Sequence, residues 1–111
     1  MIFLGNTKNI LENIKLQNED RDRVRENNFK KIIKCFYAGG RFQSKKVAEI
    51  RAKHGNILPK MLDLEVIILN KDSKLSENEY KINPIYVGEL AKYLDSSIKT
   101  KLIISFLEKM A

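Results

Sequence analysis

Residues 44–64 read SKKVAEIRAKHGNILPKMLDL, and the spacing predicts two short helices joined by a tight turn. Ser44 is a good N-cap for a helix from Lys45 to about Lys53, in which Val47 and Ile50 lie three apart and Ala48 and Ala52 four apart. The alanines matter, because two helices that cross at a tight turn need short side chains at the closest approach. His54-Gly55 breaks the pattern. Asn56 then caps a helix from Ile57 to about Leu64, with Pro59 in its first turn, where a missing N–H costs nothing.

Downstream, Glu65 to Asn70 is a β-branched run, Lys71 to Asn78 a polar loop, and Glu79 to Asn83 alternates apolar with polar. This pattern predicts a two-stranded antiparallel wing with Tyr80 and Ile82 facing the helices. Pro84 cannot continue a paired strand. Helices are expected over about Tyr86 to Leu94 and Ser97 to Met110, with Asp95-Ser96-Ser97 as break and cap.

Upstream, residues 1–5 read as a short strand or a tail. Asn6 or Thr7 caps a short helix with Ile10, Leu11 and Ile14 on one face, and Gln17-Asn18-Glu19-Asp20 interrupts it. A longer helix follows from Asp20, with Val24, Phe29, Ile32, Ile33, Phe36 and Tyr37 recurring at three and four residues. Its alternating charges over Arg21 to Glu26 predict a segment that projects from the core or lies on its surface. Gly39-Gly40 is expected to end it.

A chain of 111 residues suffices for one core and not for two. The expected organisation is one domain, with an N-terminal extension (1–28), a central unit (29–84) and C-terminal helices (85–111). Hydrophobic content of 43% and charged content of 32% fit a folded chain. The apolar run Val66-Ile67-Ile68-Leu69 is far short of the roughly 20 residues that cross a bilayer, so no membrane partner is expected. The first residues lack the pattern of a signal peptide, and the lone Cys35 fits a reducing compartment, so the expected location is cytoplasmic.

Net charge is +7 and unevenly placed. From Phe29 to Lys60 there are nine lysines and arginines against one acid, Glu49, while the rest of the chain is close to neutral. Lysine-rich composition alone would not empty a third of the chain of acids. A basic surface for a polyanion is the functional reading.

The order helix, helix, turn, helix, strand, loop, strand over about Phe29 to Asn83 resembles that of winged helix-turn-helix domains. The fold class this implies is mainly α, with a small antiparallel two-stranded wing and extra N- and C-terminal helices. Tyr80-Lys81-Ile82-Asn83-Pro84, followed by Gly88, also resembles the segment that closes the wing in some plasmid replication initiators of low-GC bacteria. No activity is carried over from those initiators, because this chain has no Lys/Arg-rich recognition helix.

The wider resemblance implies a binder of double-stranded DNA: a transcriptional regulator, or an accessory module of replication or restriction. The helix from Ile57 would lie in the major groove. Ile57, Met61, Leu62 and Leu64 would face inward, and Asn56, Pro59, Lys60 and Asp63 toward the DNA. Asn can read adenine, and Lys can reach guanine or a phosphate. Lys45, Lys46, Arg51 and Lys53 on the preceding helix, with Lys71 and Lys74 in the wing loop, would hold phosphates. Asp63 and Glu65 oppose this, and the alternative is a protein-interaction module on the same fold.

The final helix carries a wide apolar stripe that includes Ile98, Leu102, Ile103, Phe106 and Met110. It packs on the first helix or, if exposed, pairs two copies in a homodimer suited to two half-sites. No catalytic site is expected, and no cofactor or metal. Cys35 lies among apolar neighbours and reads as an inert core thiol. His54 has no carboxylate at triad or ligand spacing, and no Gly-x-x-x-x-Gly-Lys pattern follows Gly39-Gly40.

Overall fold

The longest apolar recurrence in the chain builds its longest element. In the computed structural model, which describes residues 3–46, 48–50, 56–71 and 78–111 (of 3–11 the backbone alone), helix α1 runs unbroken from Phe3 to Cys35. The expected tail or strand over residues 1–5 is thus helical from Phe3, and Asn6 and Thr7 lie inside the helix. Nor does Gln17 to Asp20 interrupt it. That stretch has no Gly or Pro, and side-chain pairs one turn apart span it: Arg21 with Asn18, Arg23 with Asp20, and Arg25 with Asp22 at 2.9 Å. Residues 12–24 are exposed throughout, so this half of α1 leaves the core as an arm. Val24, expected on the apolar face, is 55% exposed, whereas Phe29, Ile32, Ile33 and Phe36 are fully buried.

Gly39-Gly40 does not end α1. It is the tip of a hairpin between β1 (Tyr37–Ala38) and β2 (Arg41–Phe42), with Tyr37 opposite Phe42 and Ala38 opposite Arg41. Both glycines have positive φ, +60° and +79°, as a two-residue turn that matches strand twist requires. The Gln43 amide donates to the Phe36 carbonyl at 2.6 Å and closes the hairpin on the end of α1.

Ser44 is not an N-cap, because Lys45–Lys46 form a strand, β3, and the chain is helical at 48–50. The Ser44 hydroxyl accepts from Asn70 Nδ2 at 2.8 Å instead. Helix α2 spans Ile57–Asp63. It starts where expected, but Asn56 makes no side-chain cap bond. Val47, Arg51, Ala52, Lys53, His54 and Gly55 lie outside the described residues.

Strands β4 (Ile67–Leu69) and β5 (Glu79–Ile82) pair antiparallel, with Ile67 opposite Ile82, Ile68 opposite Lys81 and Leu69 opposite Tyr80. The sheet is wider than the two strands expected, in the order β3–β5–β4, with Lys45 opposite Tyr80 and Lys46 opposite Glu79. Lys45–Lys46 is drawn into the sheet because it covers the open edge of β5, whose backbone groups would otherwise lack partners.

After β5, Pro84–Tyr86 make one 3-10 turn, followed by α3 (Val87–Ser96) and α4 (Lys101–Lys109). Ser97 does not cap α4. It takes a left-handed conformation after α3, and Thr100 caps α4 by accepting from the Ile103 amide. The architecture is mainly helical with two small antiparallel sheets. One core joins Phe29, Ile32 and Ile33 of α1 and Phe36 just past its end to Leu58 and Met61 of α2, Ile67 and Ile82 of the sheet, and Leu90, Tyr93, Ile103 and Phe106 of the C-terminal helices. Among the described residues, no helix is long and apolar enough to cross a membrane.

Candidate nucleic-acid interface

Helix α2 is short because its sequence stops it. After Leu64, Glu65 adopts φ +58°, its amide donates to the Leu62 carbonyl, and the Val66 amide donates to the Met61 carbonyl, both at 3.0 Å. This pair of hydrogen bonds around a left-handed residue closes the helix, and buried Val66 supplies the apolar contact that goes with it. Leu58 and Met61 are buried, and Ile57, Leu62 and Leu64 pack half-buried against the core. Asn56, Pro59, Lys60 and Asp63, spaced three, four and seven residues from the first, are all exposed on the other side.

The outward face is not uniformly basic. Lys60 Nζ donates to the Met110 carbonyl at 2.9 Å, which seats the C-terminal end of α4 beside α2. Asp63 is exposed at the other end of the same face, and Glu65 is exposed just past the end of the helix. Beyond it lies the outer side of the β4–β5 pair, a depression of about 580 Å³ lined by Glu65, Ile68, Leu69, Lys71, Lys81 and Asn83. Lys81 stands opposite Ile68 on that side, and Lys71 is exposed where β4 ends.

Lys45 and Lys46, expected on a helix, are half-buried strand residues on the far edge of β5. Arg51, Lys53 and Lys74 lie outside the described residues. Sequence reasoning passed over Lys81, although strict alternation with Tyr80 and Ile82 places it on the opposite side of the strand. It also passed over Asn83, which ties the exit of the wing to the exit of α2. Asn83 Nδ2 donates to the Glu65 carbonyl at 2.9 Å, its amide donates to the Val66 carbonyl at 2.9 Å, and its Oδ1 accepts from the Ile85 amide at 3.2 Å.

The stripe expected to pair two copies is mostly spent inside the chain. Ile103 (0% exposed), Phe106 (4%) and Met110 (1%) belong to the core, where Phe106 meets Tyr86 edge-on at 5.0 Å, and Leu102 is half-buried against it. Of the expected interface residues only Ile98 is exposed.

The C-terminal helices are fastened to α1 by a charged cluster. Tyr93 donates its hydroxyl to Glu26 Oε2 at 2.7 Å, Lys99 Nζ lies 2.7 Å from Glu26 Oε1, and Lys30 Nζ sits 4.9 Å above the Tyr93 ring. Burial alone would push the Glu26 carboxyl up, but the bonds from Lys99 and Tyr93 prevail and hold it below the usual carboxylate range. Burial, reinforced by the Glu26 charge, pushes the Tyr93 phenol well above its ordinary value.

Among the described residues, no group of three or more His, Cys, Asp and Glu side chains is placed to hold a metal ion. Cys35 is half-buried at the end of α1. No protein-family model, no curated protein and no solved structure matches this chain.

Proposed function

We propose that residues 29–84 form a winged helix-turn-helix that binds double-stranded DNA, with α2 presented to the major groove and β4–β5 as the wing. The observation that carries this reading is the sheet order β3–β5–β4. A strand ahead of the helical segment closes the far edge of a hairpin that follows it, and α2 leads directly into that hairpin. This is the arrangement in which one helix can enter a groove while an adjacent strand pair reaches the flanking backbone. The outward set Asn56, Pro59 and Lys60, with Lys71 and Lys81 on the wing, supplies base-reading and phosphate-holding groups.

The test is fluorescence anisotropy of a labelled random duplex at about 50 and 200 mM salt. Three phosphate contacts, from Lys60, Lys71 and Lys81, weaken binding about fortyfold over that range. A Lys60→Gln/Lys71→Gln/Lys81→Gln variant is expected to bind more weakly and to lose about 3 from the log–log salt slope.

A second reading has its own observation. Asp63 is exposed on the α2 face, Glu65 is exposed just past its end, and the Lys60 ammonium is already engaged by the Met110 carbonyl. Such a face suits a protein partner with complementary cations. Failure to bind any duplex at 50 mM salt would overturn the DNA reading and favour this one.

A further inference from the structure

The basic segment that is continuous in sequence is divided by the fold. No acid occurs between Glu26 and Glu49. Lys31 and Lys34 lie one turn apart on α1, on the side opposite Phe29, Ile32, Ile33 and Phe36, and both are exposed. Arg41, also exposed, follows on the hairpin that continues directly from α1, beside its Gly39-Gly40 tip. None of the three pairs with an acid among the described residues.

Helix α2 packs on the buried side of α1. Lys31 and Lys34 therefore point away from the outward face of α2, and no single straight duplex can contact both. A helix C-terminus favours one or two cations in its last turn, which accounts for Lys34 and leaves Lys31 and Arg41 without a structural task. Three cations without an acid partner, two on one face of α1 and one on the hairpin that follows it, complement a polyanion.

We propose that the α1–hairpin ridge of Lys31, Lys34 and Arg41 is a second phosphate-contacting surface, so that one chain holds two duplex segments at once. This rests on the DNA-binding reading above and adds a second, opposite face to it. The ridge carries no side chain aimed at base edges, so its contacts are with the backbone and independent of sequence.

The experiment mixes donor-labelled and acceptor-labelled duplexes with the full chain at about 50 mM salt and reads energy transfer between them. Anisotropy on one duplex, present well below the protein concentration, is read in parallel. The wild type is expected to bring the duplexes together. Lys31→Gln/Lys34→Gln/Arg41→Gln is expected to lose the transfer to background while single-duplex affinity stays within about threefold. Lys31→Arg/Lys34→Arg/Arg41→Lys is expected to restore it. Transfer that persists in the Gln variant overturns the proposal. So does a wild type that binds one duplex and gives no transfer, an outcome that leaves the DNA reading standing. A wild type that binds no duplex removes both.

Discussion

Glu65 occupies a backbone conformation that suits glycine. Its φ of +58° sits at the close of α2, where a side chain of ordinary handedness costs about 1–2 kcal/mol. Because the Glu65 side chain is exposed, Glu65→Gly is expected to raise stability by about 1 kcal/mol, offset in part by the extra freedom of the unfolded chain. Urea denaturation would measure it, and no gain would mean that the carboxylate does structural work the backbone does not reveal. The Glu26 cluster has a pH signature. A carboxyl held below its ordinary value of 4.5 contributes stability that is present above that value and lost as pH falls through the lowered one. The raised Tyr93 phenol works at the other end, adding stability below its ordinary value of 10.0 that is lost as pH rises beyond it. Glu26→Gln is expected to cost about 1–2 kcal/mol at pH 7, toward the low end because Lys99 is half-exposed, and to flatten the fall in stability as pH drops below the ordinary value of 4.5. An equally steep fall in the variant would place the acid sensitivity elsewhere.

Elements were legible where period and burial agreed, and hidden where tertiary pairing overrode local preference. The buried positions Phe29, Ile32, Ile33 and Phe36 follow from spacing alone, and so do β4, β5 and the inward set Tyr80 and Ile82. The strand at Lys45–Lys46 was not legible. Ser44 followed by a helical pattern is a good local argument, and the open edge of β5, which defeats it, is visible only once the chain is folded. The β1–β2 hairpin carried a signal that was misassigned. Gly-Gly between aromatic residues marks a two-residue turn as readily as a helix end, and the Tyr37–Phe42 pair, with ring centroids 4.8 Å apart, holds it closed. At Gly40 an added Cβ meets nothing within 4 Å, so Gly40→Ala tests the backbone alone. It is expected to destabilise the hairpin by about 1–2 kcal/mol. Amide exchange would show this as faster exchange at Gln43, whose amide closes the hairpin, with the core amides unchanged. Protection undiminished at Gln43 would mean that the turn tolerates a side chain.

The whole molecule is far longer than its core. Its extents are 70 × 27 × 21 Å and its radius of gyration is 17.8 Å, whereas a compact chain of this length has about 13 Å. A 33-residue helix spans about 50 Å, and of its described side chains the buried ones begin only at Phe29. Over its described side chains, 12–24, the arm thus adds reach without adding to the core, and its charged turns hold their helix through exposed pairs worth only a few tenths of a kcal/mol each. Removing residues 1–20 keeps every described buried residue of the core and the whole Glu26 cluster. The shortened chain is expected to keep its denaturation midpoint, while its radius of gyration by X-ray scattering falls toward about 12 Å. A midpoint that drops with the arm would mean that residues 1–20 fold back on the core in solution. If the midpoint holds and the radius falls, the arm is a lever carried by an independently stable body, and the residues of both proposed duplex-binding faces survive its removal. Duplex binding by the shortened chain would then locate DNA contact in residues 21–111 and leave the arm free for another task.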